Sequence, residues 1–440
     1  MVNVAKVFST LGNSNSLIPL AIKDTASTTG MTIGSFITGK EEGHDRFIDE
    51  VGTEVIWLGG IPFFKWAYDK TIFKALKMDS KFDARNLKDK NILAKIEEFA
   101  PNENIKGNIT KIIKNNKTFK NAATAKFFVS TALTVASYIG LTKFKQKFTE
   151  QKIRKNLIAE YQAEKKQKDF EKKDLITDNH TSNTSFKGLG SAVESLAFSP
   201  VKNMWVLDGC ITAERLKDSR TKQEFVGYAI KEASILTFMY YAGDKIQKML
   251  ENHAKNKHNK SIALDARVLE DNFLKKAFED GSILKSLEAF KTANTSNANL
   301  YEFLHKNPDN LIVKTAKMSD VIEMYKEPQG LFKKSKLTDK IDTRKYIDLK
   351  DVENISKNIE ELYGQYKNAI AKGETSDKFF QGVKRLKRNS IITNIGTCIF
   401  ALGILTPAIM LAKRLAGNDD TEFQTKKEIR EQLIKEGIIA

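Results

Sequence analysis

Few residues in this 440-residue chain are spaced for chemistry. Gly34-Ser-Phe-Ile-Thr-Gly39-Lys40 has the spacing of a phosphate-cradling loop. Glu41 stands where a Ser or Thr would reach Mg2+, however, and no apolar strand leads into the segment. The histidines His44, His180, His253, His258 and His305 show no H-E-x-x-H or Cys/His ligand spacing. His44, Asp45, Asp49, Glu50 and Glu54 crowd one stretch, where they could form a cation site, an acid–base pair or the charged face of a helix. Nucleophile-elbow, zinc-box and dinucleotide signatures are missing. The expectation is a protein that is not an enzyme, with no metal and no cofactor.

The elements that carry these residues recur in order. Phe8-x-x-Leu11-Gly12 is echoed by Phe186-x-x-Leu189-Gly190, and Leu20-Ala21 by Leu196-Ala197. Arg46-x-x-x-Glu50 is echoed by Arg220-x-x-x-Glu224. Asp83-Ala84-Arg85-x-Leu87-x-Asp89 is echoed by Asp265-Ala266-Arg267-x-Leu269-x-Asp271. The shared order points to a tandem duplication. Four of the eleven Arg fall on matched positions in a chain with 61 Lys, so those guanidiniums should have fixed partners. Arg46 with Glu50, and Arg220 with Glu224, each lie four apart on one helix face and read as structural ion pairs. Arg85 and Arg267 should anchor their motifs in equivalent ways.

Each unit ends in a long apolar helix. Residues 389–412 carry no charge for 24 residues, between Lys384, Arg385, Lys387 and Arg388 on one side and Lys413 and Arg414 on the other. That is long enough to cross a bilayer. Residues 127–142 are uncharged between Lys126 and Lys143, with Ala132, Ala136 and Gly140 spaced as a small-residue stripe for helix packing. We expect 389–412 to cross a membrane and 127–142 to pack beside it through that stripe. Flanking charge places 143–388 on one side. The aromatic segments 51–68 and 226–243 contain charges and should line the core or the interface.

Seven prolines, 24 glycines and missing alternating runs predict an all-α fold. The units are 1–148 and 186–415, the second with an insertion at about 281–380. That insertion reads as helical segments, DVIEMY (320–325) among them. A basic amphipathic helix and polar linker (149–185) join the units, and 416–440 form a charged tail. Two cysteines make no disulfide framework. The net charge of +17 comes mostly from Lys, which does not favour nucleic-acid readout. The expected function is a membrane-anchored scaffold or tether whose partners are the bilayer and anionic headgroups near the Lys-rich flanks. The alternatives are a small-solute transporter or channel built from two repeats, and a soluble polyanion-binding protein.

Overall fold

The computed structural model describes residues 4–13, 16–165, 199–219, 222–329, 335–415 and 421–439. The first half comprises α1 (Val4–Leu11), α2 (Leu17–Thr38), α3 (Lys40–Tyr68), a π-helical turn (Asp69–Phe73), α4 (Lys74–Leu76), a 3-10 turn (Ala84–Lys88), α5 (Lys90–Glu98), α6 (Glu103–Lys114) and α7 (Asn116–Lys165). Next come α8 (Pro200–Lys217), α9 (Lys222–Leu236), a π-helical turn (Thr237–Tyr241), α10 (Ala242–His258), α11 (Ala266–Glu270), α12 (Asn272–Glu279), α13 (Ser282–Ala293), α14 (Asn297–Lys306) and α15 (Leu311–Met318). The chain finishes with β1 (Met324–Glu327), β2 (Lys336–Ile341), α16 (Leu349–Ala371), α17 (Ser376–Phe400), a π-helical turn (Ala401–Leu405), α18 (Thr406–Leu415) and α19 (Thr421–Lys435).

The all-α class holds, apart from one antiparallel hairpin in which Met324 faces Ile341. The segment DVIEMY therefore enters a strand instead of a helix. Asp320 adopts a left-handed conformation (φ 55°) and the amides of Val321 and Ile322 return to Ala316 O, which closes α15 just before it.

Two lobes result, and neither coincides with a sequence unit. In the polar lobe, Phe82, Ile96, Ile109 and Phe119 from the first half share one apolar core with Phe278, Ile312, Val352 and Phe379 from the second. Helix starts here are set by side-chain caps. Asp83 accepts the Arg85 amide at 2.9 Å and its guanidinium at 2.7 Å; Asp265 accepts the Arg267 amide at 2.8 Å and its Nε at 3.2 Å. Asp89 and Asp271 cap the helices that follow. The two motifs differ further out: Arg85 lies over the Tyr346 ring, whereas Arg267 reaches Asp320 at 2.8 Å.

Among the described residues, the other lobe is a ring of six helical rods. α7 packs on α3, α3 on α2, and α2 on α18 and its preceding π turn; these meet α9, α9 meets α8, and α8 closes on α7. The π turn before Pro407 accommodates a residue with no amide to donate, and Thr406 Oγ1 donates to Ala401 O at 2.9 Å. The two long apolar helices are thus not neighbours, contrary to the expectation, because α2 and α3 stand between them. Ala132, Ala136 and Gly140 face outward, and a Cβ at Gly140 would meet nothing. The inward face of α7 is Ser130, Thr134, Tyr138 and Thr142. The glycines that permit close approach sit on α3 instead: a Cβ on Gly60 would come within 2.7 Å of Thr134, and one on Gly52 within 2.7 Å of Leu141.

The ring has two ends. Lys126 pairs with Asp69, and Ser390 bonds Gln247, at the polar-lobe end. At the far end Lys145 faces Asp45, and α19 packs on Ile153 and Leu157. Residues 143–165 and 254–388 therefore lie at opposite ends, against the single side expected from flanking charge.

One titratable group in the polar lobe tests its packing. His305 stacks on Phe99 at 4.6 Å and lies 4.9 Å from Tyr301, with no hydrogen-bond partner for Nε2. Burial, with the Lys317 charge nearby, pushes its pKa down from 6.5 to about 4. The unfolded chain then binds the proton first, so stability is complete above about pH 6.5 and falls as pH drops toward 4. Thermal melts should show wild type losing on the order of 3 kcal/mol more than His305→Phe across that window. Parallel pH curves would refute this.

Candidate functional site

The ring surrounds charge. α3 contributes Asp49 and Glu50, α8 Arg215, α9 Lys231 and Glu232, and α7 Lys145, all buried. Lys231 Nζ lies 2.5 Å from Glu50 Oε1, and Arg215 Nη1 2.5 Å from Glu232 Oε1. Arg215 also donates from Nε to Tyr138 Oη at 2.7 Å and from Nη2 to Thr53 Oγ1 at 3.2 Å, with Asp49 at 3.6 Å. Lys145 stands 3.6 Å from Asp49 and 3.9 Å from Asp45. Arg46 reaches Glu50 at 3.5 Å and Asp49 at 3.9 Å. Among the described residues, the four carboxylates Asp45, Asp49, Glu50 and Glu232 thus contact the four cations Arg46, Lys145, Arg215 and Lys231. Six of these charges are buried beside their opposites, the condition under which interior charge is tolerated, while Asp45 and Arg46 are half-buried at the edge.

Such a cluster ties four helices into one register and holds no free nucleophile. No group of three or more His, Cys, Asp or Glu suited to a metal occurs among the described residues. The phosphate-loop spacing at 34–40 lies across the end of α2 and the start of α3, with Gly39 in extended backbone (φ −176°), so no loop wraps an anion there. His44 sits on the surface against Phe36; His253 and His258 are exposed.

Arg46 and Glu50 are brought together, but as one corner of a larger network. Arg220, the Glu224 side chain and His180 lie outside the described residues. Arg85 and Arg267 belong to the polar lobe. Sequence reasoning missed Arg215 and Lys145 altogether. The available signal was charge inside apolar runs, Lys231 and Glu232 within 226–243, which demands partners from elsewhere. Compared with protein-family models, with curated proteins and with solved structures, the chain matches none.

Replacing Lys231 alone by Met leaves Glu50 short of its nearest counter-charge and should cost about 3–5 kcal/mol. The double variant Lys231→Met with Glu50→Gln should recover much of that loss. Melting of the four proteins of this cycle in mild detergent measures the coupling. Additive losses would show that the pair does not hold the ring.

Proposed function

We propose that this chain is a membrane-anchored, non-enzymatic scaffold whose ring sits at bilayer depth and holds the polar lobe at one face. The observation that supports it most is a belt without exposed charge. No Asp, Glu, Lys or Arg is exposed over 17–37 on α2, 43–68 on α3, 127–142 on α7, 203–216 on α8, 225–243 on α9 and its π turn, or 389–412 on α17 and α18. Phe36, Val55, Phe63, Trp66, Phe128, Leu133, Phe400 and Ile404 are exposed there. At 1.5 Å per residue these runs are roughly 20–40 Å long, bracketing the ~30 Å hydrocarbon layer. On the polar lobe and the α1 helix packed against it, exposed large apolar residues reduce to Val4, Val7, Ile72, Met249, Leu284, Leu337 and Ile370 among those described. Two of the ring's rods, Asn116–Gln162 and Ser376–Lys413, are apolar and long enough to cross on composition alone.

The flanking cations divide their roles. Lys384 and Lys387 bond carbonyls of Glu270 and Ile262, and Arg388 pairs with Glu270, so they fasten α17 to the polar lobe. Exposed Lys143 and Lys147 at the far end are the ones placed for anionic headgroups. Apolar side chains such as Trp57, Met204 and Leu207 and the paired charges occupy the ring interior, and the space beside Asp49 and Arg215 is about 20 Å3, which favours an anchor over a channel. We also read the halves as a tandem duplication. Each supplies a pair of ring helices, a left-handed residue (Lys77, Asn259), an Asp-Ala-Arg turn, an Asp-capped helix and then a third, long ring helix.

A second reading is favoured by the chain path. Residue 165 is at the far end of the ring and residue 199 at the polar-lobe end. The connecting sequence 166–198 carries ten charged residues, and charge is costly to carry across lipid. In this reading the belt is covered by protein, and the scaffold is an assembly module. Alkaline carbonate extraction separates the two. The membrane reading predicts that the chain stays in the pellet until detergent is added; full release into the supernatant would transfer the belt to a protein partner.

A further inference from the structure

A cavity of about 730 Å3 opens where the ring meets the polar lobe, a size typical of small-ligand sites. Lys23 of α2 lies on its inner wall and is buried. Its Nζ donates to two main-chain carbonyls of the π-helical turn, Phe238 O at 3.2 Å and Met239 O at 3.4 Å. The ring's other buried cations, Lys145, Arg215 and Lys231, each have a carboxylate within 4 Å. Lys23 is held by carbonyls instead, and the acid that lines this cavity, Asp244, is exposed at its rim. A buried ammonium with no counter-charge is costly. The fold nevertheless makes room for it: a Cβ on Gly243 would lie 3.1 Å from Lys23 Nζ.

The rest of the wall is mostly apolar. Leu20, Trp205, Ile391 and Ile395 line it, while Lys202, in the first turn of α8, and Gln247 add polar groups. One interior positive charge beside an extended apolar surface matches a molecule with one anionic end and a hydrocarbon body.

We propose that this cavity binds a single-chain amphipathic anion, its carboxylate or phosphate head paired with Lys23 and its tail laid along Leu20, Trp205, Ile391 and Ile395. The head supplies the counter-charge that the described residues do not, and the tail removes the apolar wall from water. This site stands whichever partner, lipid or protein, covers the belt.

The test uses the purified full-length chain in a maltoside detergent and displacement of a fluorescent fatty acid by oleate, methyl oleate, butyrate and inorganic phosphate. Oleate should displace the probe saturably. Methyl oleate, which keeps the tail and loses the charge, should bind about tenfold or more weakly, the loss expected for one charge-assisted hydrogen bond. Butyrate and phosphate should compete poorly. Lys23→Gln should weaken oleate and leave methyl oleate unchanged, and Gly243→Leu, which projects a side chain toward Lys23, should weaken both. Equal binding of oleate and methyl oleate by the wild-type protein would overturn the proposal without recourse to any variant. Phosphate or butyrate competing as well as oleate would make the site one for small free anions and overturn the amphiphile. No saturable displacement by oleate would overturn the site itself.

Discussion

The ion cluster of Asp49, Glu50, Arg215, Lys231 and Glu232 is the constraint from which the ring follows. Interior charge is acceptable only where opposite charge meets it at close range. Here the partners come from different helices, so α3, α8 and α9 cannot slide or rotate independently of one another. Tyr138 and Lys145 extend the same restraint to α7. Truncating one member leaves a charge without its partner, which makes the cluster a determinant of register more than a source of net stability.

The ring and the polar lobe obey opposite rules of burial. In the polar lobe, apolar side chains are inside and charged ones outside, as in any water-facing domain. In the ring, charged side chains join apolar ones such as Trp57 and Leu207 inside, and the belt outside shows no exposed charge. Such a surface needs a cover. Bilayer and protein are the two available. Among the described residues, each half contributes three ring helices, while both halves share one polar lobe.

The sequence discloses some of this and hides the rest for identifiable reasons. Helix content was legible because prolines are few and strand-like alternation is missing. Local relations were legible too: Arg46 four residues before Glu50, and Asp83 two residues before Arg85, are fixed by backbone geometry alone. Contacts between distant segments were not. Nothing near Asp49 announces Arg215, and nothing near Glu50 announces Lys231 beyond the oddity of a charge within an apolar run. The stripe Ala132, Ala136 and Gly140 misled because small residues permit close approach without saying that a neighbour exists; the approach is made through Gly52 and Gly60 of α3. DVIEMY has helical composition, yet a left-handed Asp320 ends the preceding helix and hands the segment to a strand.

Sidedness tests the membrane account most directly. Single cysteines would be placed at Lys106, in the polar lobe, and at Glu160, beyond the far end of the ring, in a chain whose Cys210 and Cys398 are replaced by Ala. If the ring crosses a bilayer, an impermeant maleimide applied to sealed vesicles labels one site, and the other only after permeabilisation. Equal labelling of both sites in intact vesicles would contradict it and leave the belt to a protein partner.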